Sequence, residues 1–239
     1  MINVKNVSKL FNNSIILQDI SFEIKRGDFV AVMGPSGSGK STLLYSISGM
    51  DLIDKGEVLF DGHDITKMSE DSLSTFRLSK MGFVFQNAHM LKNLSIFDNI
   101  ILPGLGAKKV SAEEIRKRAQ LLMKRMDIEG IKDRDIKEVS GGQLQRASIC
   151  RAMINNPDIL FLDEPTGALN SSATDQVLNI LKGLNHEGMT ILTVTHDTRV
   201  ASKARRVLYI IDGMIAGSKD FTNDENHDAE LEQWLKEFQ

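Results

Sequence analysis

The sequence predicts an α/β fold with a mainly parallel core sheet, an N-terminal antiparallel β part and an inserted helical subdomain. Residues 29–33 and 159–162 are short, wholly apolar runs, which suit strands covered on both faces of a parallel sheet. Strand-like and helix-like segments alternate toward both ends of the chain, the pattern of βαβ units. Between residues 87 and 156 the strand pattern gives way to helical spacing.

Residues 1–30 read as strands, with Ile20, Phe22 and Ile24 alternating with polar neighbours as on a half-buried strand. The apolar run at 29–33 enters a glycine-rich turn, and a helix is expected from Lys40 to about Ser48. Val58-Leu59-Phe60 leads into Asp61-Gly62, a tight-turn signal between strands. In the helical stretch Ser111-Ala112-Glu113-Glu114 has the form of a capping box, and Ile115, Ala119, Leu122 and Met126 follow on one face. A further helix is expected after Gly141-Gly142 and should stop before Pro157. Val177, Leu178, Leu181 and Leu184 mark another helical face, residues 190–195 a β-branched strand, and Asp212-Gly213 a hairpin turn. Residues 219–228 are polar and acidic and are expected as a loop, with a short helix over 229–238. The expected organisation is one domain over 1–239, with a core of 1–86 and 157–218, a helical subdomain of 87–156 and a tail of 219–239.

Two motifs carry chemistry. Gly34-Pro35-Ser36-Gly37-Ser38-Gly39-Lys40-Ser41, followed by Thr42, has the pattern of a phosphate-binding loop. Glycines let the backbone curl so that N–H groups point at phosphate oxygens, and the helix that follows adds the positive end of its dipole. Lys40 can reach β- and γ-phosphates, and the Ser41 hydroxyl can ligate Mg²⁺. The second motif is the run at 159–162 ending in Asp163-Glu164. Carboxylates at the carboxyl end of a buried strand are costly without partners, and ligands bind at that end of open α/β sheets. Asp163 can hold Mg²⁺ and Glu164 can act as general base on water. An acidic turn with no ligand is the plain alternative for this pair taken alone.

Composition excludes several classes. Hydrophobic residues make up 41% and charged residues 26% of 239, the balance of a globular chain able to bury a core without disulfides or metals. Cys150 is the only cysteine, so no internal disulfide forms, which fits a reducing compartment. The net charge of −3 gives no basic footprint and hence no expected nucleic-acid partner. Arg116-Lys117-Arg118 and Lys124-Arg125 read as a solvated helix face. No apolar run reaches the roughly 18 to 20 residues of a spanning helix, and Met1-Ile2-Asn3-Val4-Lys5 lacks a signal-like apolar stretch. The expected location is cytoplasmic, with the membrane reached only through a partner.

Val139-Ser140-Gly141-Gly142-Gln143 resembles the signature of ABC (ATP-binding cassette) ATPases, and it is followed by Leu144-Gln145-Arg146. The resemblance covers roughly residues 2–217. It implies a phosphate-loop, RecA-like fold, ATP as substrate with Mg²⁺, and a head-to-tail dimer, most simply a homodimer. In that dimer Ser140, Gly141, Gly142 and Gln143 face the γ-phosphate bound by the partner. It also implies that Gln86 contacts Mg²⁺ and water, that His196 reaches the γ-phosphate, and that Phe11 stacks on adenine. Taken alone, Phe11 reads as a core residue and His196 as structural. Residues 163–169 and 82–86 are similar to the macrolide-efflux, lipoprotein-release and bacitracin-resistance branch (MacB, LolD and BceA types). That branch works with a separate FtsX-like integral membrane permease at the inner face of the membrane. Met90, Leu91, Leu94, Ile96 and Phe97 form either a permease groove or internal core. Two departures stand out: Val139 replaces Leu, and Asn170 replaces the Asp common at that position, which predicts slower hydrolysis or altered coupling between sites. A non-transport ATPase acting on nucleic acid or ribosomes, a phosphate-loop kinase and a slowly hydrolysing clamp remain as alternatives.

Overall fold

The computed structural model describes residues 1–221 and 227–238. The elements run β1 (Ile2–Phe11), β2 (Ser14–Ile24), β3 (Phe29–Met33), α1 (Lys40–Ile47), β4 (Lys55–Phe60), β5 (His63–Asp64), α2 (Glu70–Lys80) and β6 (Met81–Val84). Then come α3 (Ile96–Ala107), α4 (Ala112–Arg125), α5 (Gly141–Met153), β7 (Ile159–Asp163) and α6 (Ser171–His186). The last are β8 (Thr190–Val194), α7 (Thr198–Ala201), β9 (Arg206–Ile211), β10 (Met214–Asp220) and α8 (Asp228–Leu235). They gather into two compact units, one of Met1–Leu73 with Leu184–Gln239, the other of Ser74–Gly183.

The first unit holds an antiparallel sheet in the order β2-β1-β4-β5. Asn12 and Asn13, both with positive φ (48° and 63°), turn β1 into β2, and Phe11 pairs with Ser14 across the turn. Asparagine tolerates this conformation, which matches the twist of the flanking strands. Ile20 and Ile24 are buried and Phe22 half-buried, as the alternation predicts. In the same unit β3 runs parallel to both β8 and β9, with Val32 opposite Val194 on one side and Leu208 on the other. All five β3 residues are buried, as their uninterrupted apolar run requires. β9 returns antiparallel as β10 through Asp212-Gly213. The loop expected over 219–228 begins later: Lys219 and Asp220 belong to β10, where Asp220 pairs with Arg206 at 2.5 Å. Residues 222–226 lie outside the described residues.

In the second unit β6 and β7 pair in parallel, with Val84 opposite Leu162, and α5 packs against β6. Leu160, Phe161 and Leu162 are wholly buried, each worth about 1.5–3 kcal/mol of transfer free energy. On α4 the buried face is Ile115, Ala119 and Met123, while Leu122 is only half-buried. Ser111 Oγ accepts the Glu114 N–H at 3.2 Å, and the Glu114 carboxylate pairs at 3.2 Å with Arg118, whose guanidinium also reaches the Ile154 carbonyl. Of the expected solvated basic face, Arg116, Lys117, Lys124 and Arg125 are exposed, with Lys117 paired to Glu113 and Arg116 over the Phe97 ring, whereas Arg118 is half-buried. Helix α2 has a polar sequence with Leu73 as its buried residue, so periodicity does not announce it. Among the described residues no helix is long and apolar enough to cross a membrane.

Cys150 is fully buried on α5, and that burial pushes its thiol up to about 12. A maleimide at neutral pH should therefore leave Cys150 unmodified in the folded protein and label it stoichiometrically in denaturant. Mass spectrometry of both samples checks this.

Candidate functional site

In the first unit the 34–42 segment leaves the carboxyl end of β3 and runs into α1. Gly34 has φ 150°, and a Cβ there would lie 2.1 Å from the Ile210 carbonyl oxygen, so no other residue fits. Gly39 stands at φ 98° before α1, where a Cβ would come within 2.9 Å of the Ile16 carbonyl. It offers no side-chain cap, so the first N–H groups of α1 have no side-chain acceptor at the cap position. Ser38 Oγ is buried and has no hydrogen-bond partner among the described residues. Lys40 Nζ donates to the carbonyls of Gly34 (2.9 Å) and Pro35 (2.8 Å), which folds its ammonium back across the loop. Pro35, Ser36 and Gly37 are exposed, while Ser41 and Thr42 are half-buried on the first turn of α1. A curled backbone, an uncapped helix start, an orphaned buried hydroxyl and a lysine over the opening form an anion cradle.

His196 follows β8, the parallel neighbour of β3, so it leaves the same sheet edge as the 34–42 loop. Its backbone is held on both sides. The Thr195 N–H donates to the Val32 carbonyl at 3.0 Å, and the Asp197 N–H to Thr195 Oγ1 at 3.0 Å. Asp197 caps α7, accepting the Arg199 N–H at 2.9 Å and pairing with its guanidinium at 2.8 Å. Burial works to raise the Asp197 carboxyl, but the Arg199 hydrogen bonds and the neighbouring His196 outweigh it and hold it below the usual carboxylate value. Phe11 is 66% exposed at the end of β1, beside exposed Leu10 and Ile15. It is not the core residue that its sequence position alone suggests.

In the second unit Gln86 lies just past β6 and Asp163-Glu164 at the end of β7, so the parallel pair delivers all three to one edge. Asp163 and Glu164 are half-buried and Gln86 is exposed. Glu164 takes a left-handed backbone, φ 47°, a conformation that costs a non-glycine residue about 1–3 kcal/mol. Gly167 follows in this turn, and a Cβ there would meet Gln86 Nε2 at 3.0 Å, which places Gln86 against the segment after Glu164.

Ser140 is the N-cap of α5. Its Oγ accepts the Gln143 N–H at 3.3 Å, and Gln143 Oε1 accepts the Ser140 N–H at 2.9 Å, a complete capping box. Gly142 allows α6 to approach, since a Cβ would come within 2.8 Å of the Ala173 Cβ. Two side chains of α5 fasten the segment around Gln86. Buried Gln145 donates to the Phe85 carbonyl at 3.3 Å, and Arg151 donates to the carbonyls of Ala88 and His89. Sequence patterning did not single out Gln145 or Arg151, because their partners lie about 60 residues away. The apolar cluster after Gln86 is divided: Met90 and Ile96 are buried, Leu94 and Phe97 half-buried, and Leu91 is 51% exposed.

Asn170 is placed by its own chemistry. Its Oδ1 accepts the Ala173 N–H at 2.9 Å, and its carbonyl accepts the Thr174 N–H at 2.9 Å, so it caps α6. Asp and Asn cap equally well, whereas Ala loses about 1 kcal/mol. In urea melts Asn170→Asp should match the native protein and Asn170→Ala should fall by about that amount, so a changed ATPase rate in Asn170→Asp isolates charge from stability.

Comparison with known proteins identifies the family. The family model described as ABC transporter matches residues 17–167. The lipoprotein-releasing system ATP-binding protein LolD of Leptospira interrogans is 40% identical over 92% of this chain and 92% of its own length. The ABC transporter ATP-binding protein YxdL of Bacillus subtilis is 40% identical over 98% of this chain and 92% of its length. The macrolide export ATP-binding/permease protein MacB of Mannheimia succiniciproducens is 41% identical, but this chain spans 34% of it. Among solved structures, the cassette MJ0796, a dimer bound to ADP and Pi, superposes with a TM-score of 0.86 at 37% identity over 93% of this chain and all of that one. With its phosphate loop, acidic strand end and Ser-Gly-Gly-Gln helix start in place, the chain belongs to the ABC transporter family as an ATP-binding, ATP-hydrolysing subunit.

Proposed function

We propose that this ATPase works as a Mg²⁺-dependent homodimer, one nucleotide-binding domain per chain, and drives a separate FtsX/MacB-like permease from the inner face of the membrane. The observation that carries the proposal is a pair of helix starts. Helix α1 opens on glycine with no side-chain cap, and α5 opens on Ser140-Gly141-Gly142. One suits a phosphate bound in cis, the other a phosphate presented by a second copy. The relatives LolD and YxdL, each matched over 92% of its length, are named as ATP-binding proteins, while MacB carries its permease in the same chain.

Each residue then has a task. Residues 34–42 hold the triphosphate, with Lys40 swinging from its two carbonyls to the β- and γ-oxygens. Phe11 offers an exposed ring for adenine. Ser41 in the first unit, and Asp163 and Gln86 in the second, each carry an oxygen of the kind this hard ion takes and would each serve as a donor to Mg²⁺. Among the described residues no cluster of three or more His, Cys, Asp or Glu side chains forms a separate metal cage. Bound Mg²⁺ supplies charge neutralisation at the phosphates. Glu164 takes a proton from the attacking water, and His196 holds the γ-phosphate oxygens as charge develops. Exposed Leu91, just beyond Gln86, offers the permease an apolar contact.

Glu164→Gln should bind ATP as well as the native chain, hydrolyse it at least a hundredfold more slowly, and elute as an ATP-dependent dimer. Hydrolysis at native speed would remove Glu164 as the base. Lys40→Ala should abolish nucleotide retention with the fold intact by circular dichroism. Leu91→Asp should release a co-expressed permease in a pull-down while leaving ATP binding unchanged; co-purification with RNA in place of a membrane protein would overturn the transport role.

A further inference from the structure

The 196–202 segment holds a residue central to the proposed chemistry on a foundation that cannot stand alone. Helix α7 has four residues, too few for a stable isolated helix, so packing fixes its position. Val200 and Ala201 are wholly buried, and α7 packs against β3 and α8. Asp197, its cap, adjoins His196 and orients the chain there through Thr195 and Arg199. Whatever seats α8 therefore also seats one wall of the support under His196.

Helix α8 is seated by an aromatic clasp. Trp234, the only tryptophan in the sequence, meets Tyr209 of β9 edge-on at 6.4 Å and Phe238 at 5.1 Å. Phe238 in turn stacks on Tyr209 at 4.6 Å. Leu231 is fully buried, and Trp234 and Leu235 nearly so. The sheet is shaped to receive these rings. Gly217 of β10 lies beneath them, and a Cβ there would stand 2.5 Å from Phe238 Cζ and 3.1 Å from Trp234 Cζ2. A second anchor flanks the clasp, where Lys219 of β10 pairs with Glu230 of α8 at 2.9 Å. Aromatic pairs add attraction beyond that of burial alone, which helps a short helix stay docked. Tyr209 also lies opposite Met33, the last residue of β3 before the phosphate loop.

We propose that Trp234, seated over Gly217, is a positioning residue for hydrolysis: it holds α8 against α7 and thereby keeps His196 in its working place. The inference rests on the role proposed for His196, and the experiment separates the two.

Steady-state ATPase activity and fluorescent-ATP binding are measured for Trp234→Ala, Trp234→Phe and Gly217→Val, each alone and combined with His196→Ala. Trp234→Ala and Gly217→Val should lower kcat about five- to twentyfold, with nucleotide affinity changed less than twofold. Trp234→Phe should recover most of the rate. In the His196→Ala background neither clasp variant should lower kcat further, because the residue they position is gone. Trp234 emission in Gly217→Val should shift to the red as the ring loses its seat, a readout independent of turnover. If the clasp variants reduce kcat by the same factor with and without His196, or leave it at the native value, Trp234 is not a positioning residue. If His196→Ala itself turns over at native speed, the role of His196 falls and with it the premise.

Discussion

An α-helix leaves its first N–H groups without internal acceptors, and in α1 the residue placed to accept them is a glycine. Much of the first unit follows from that deficit. The preceding residues must curl tightly enough for backbone amides to converge, which is why Gly34 and Gly39 adopt conformations closed to residues with a Cβ. The curl sits at the end of β3, whose two parallel neighbours bury it on both edges. The buried Ser38 hydroxyl stays without a partner among the described residues, a cost that an anion bearing several oxygens would relieve in the proposed role of this loop.

Helix α5 is built on the opposite principle. Ser140 and Gln143 satisfy each other across its first turn, so the helix start is rigid before any ligand arrives. Along its length Gln145 and Arg151 grip the backbone from Phe85 to His89. The buried Gln145 amide and the half-buried Arg151 guanidinium are costly to detach, because each leaves carbonyls without donors. The segment carrying Gln86 and exposed Leu91 is therefore tied to the helix that carries the Ser-Gly-Gly-Gln motif.

The acidic strand end stores strain at Glu164, the residue proposed as the base. Glu164 is held in a left-handed backbone by the turns that follow it: the Gly167 N–H returns to the Glu164 carbonyl and the Leu169 N–H to that of Thr166. Asn170 then starts α6. A departure that looks purely functional in the sequence, Asn for Asp, thus also sits in a structural cap that either residue satisfies.

The parallel strands, the phosphate loop, the acidic strand end and the Ser-Gly-Gly-Gln helix start were legible in the sequence, because each is a local pattern: an apolar run, glycines at fixed offsets, a capping residue before a helix. Ile20 and Ile24, the face of α6 and both Asp-Gly hairpins were likewise read from period and turn chemistry, while on α4 Met123 fills the buried place expected of Leu122. Helix α2 was not, since its apolar residues are too few to mark a period. The start of the loop expected at 219 was misplaced because the partner of Asp220, Arg206, belongs to another strand. Exposed Phe11, the grip of Arg151 and the ring of Trp234 over Gly217 were decided by tertiary structure alone. Each depends on which residues from distant parts of the chain meet, and a linear pattern holds no record of that.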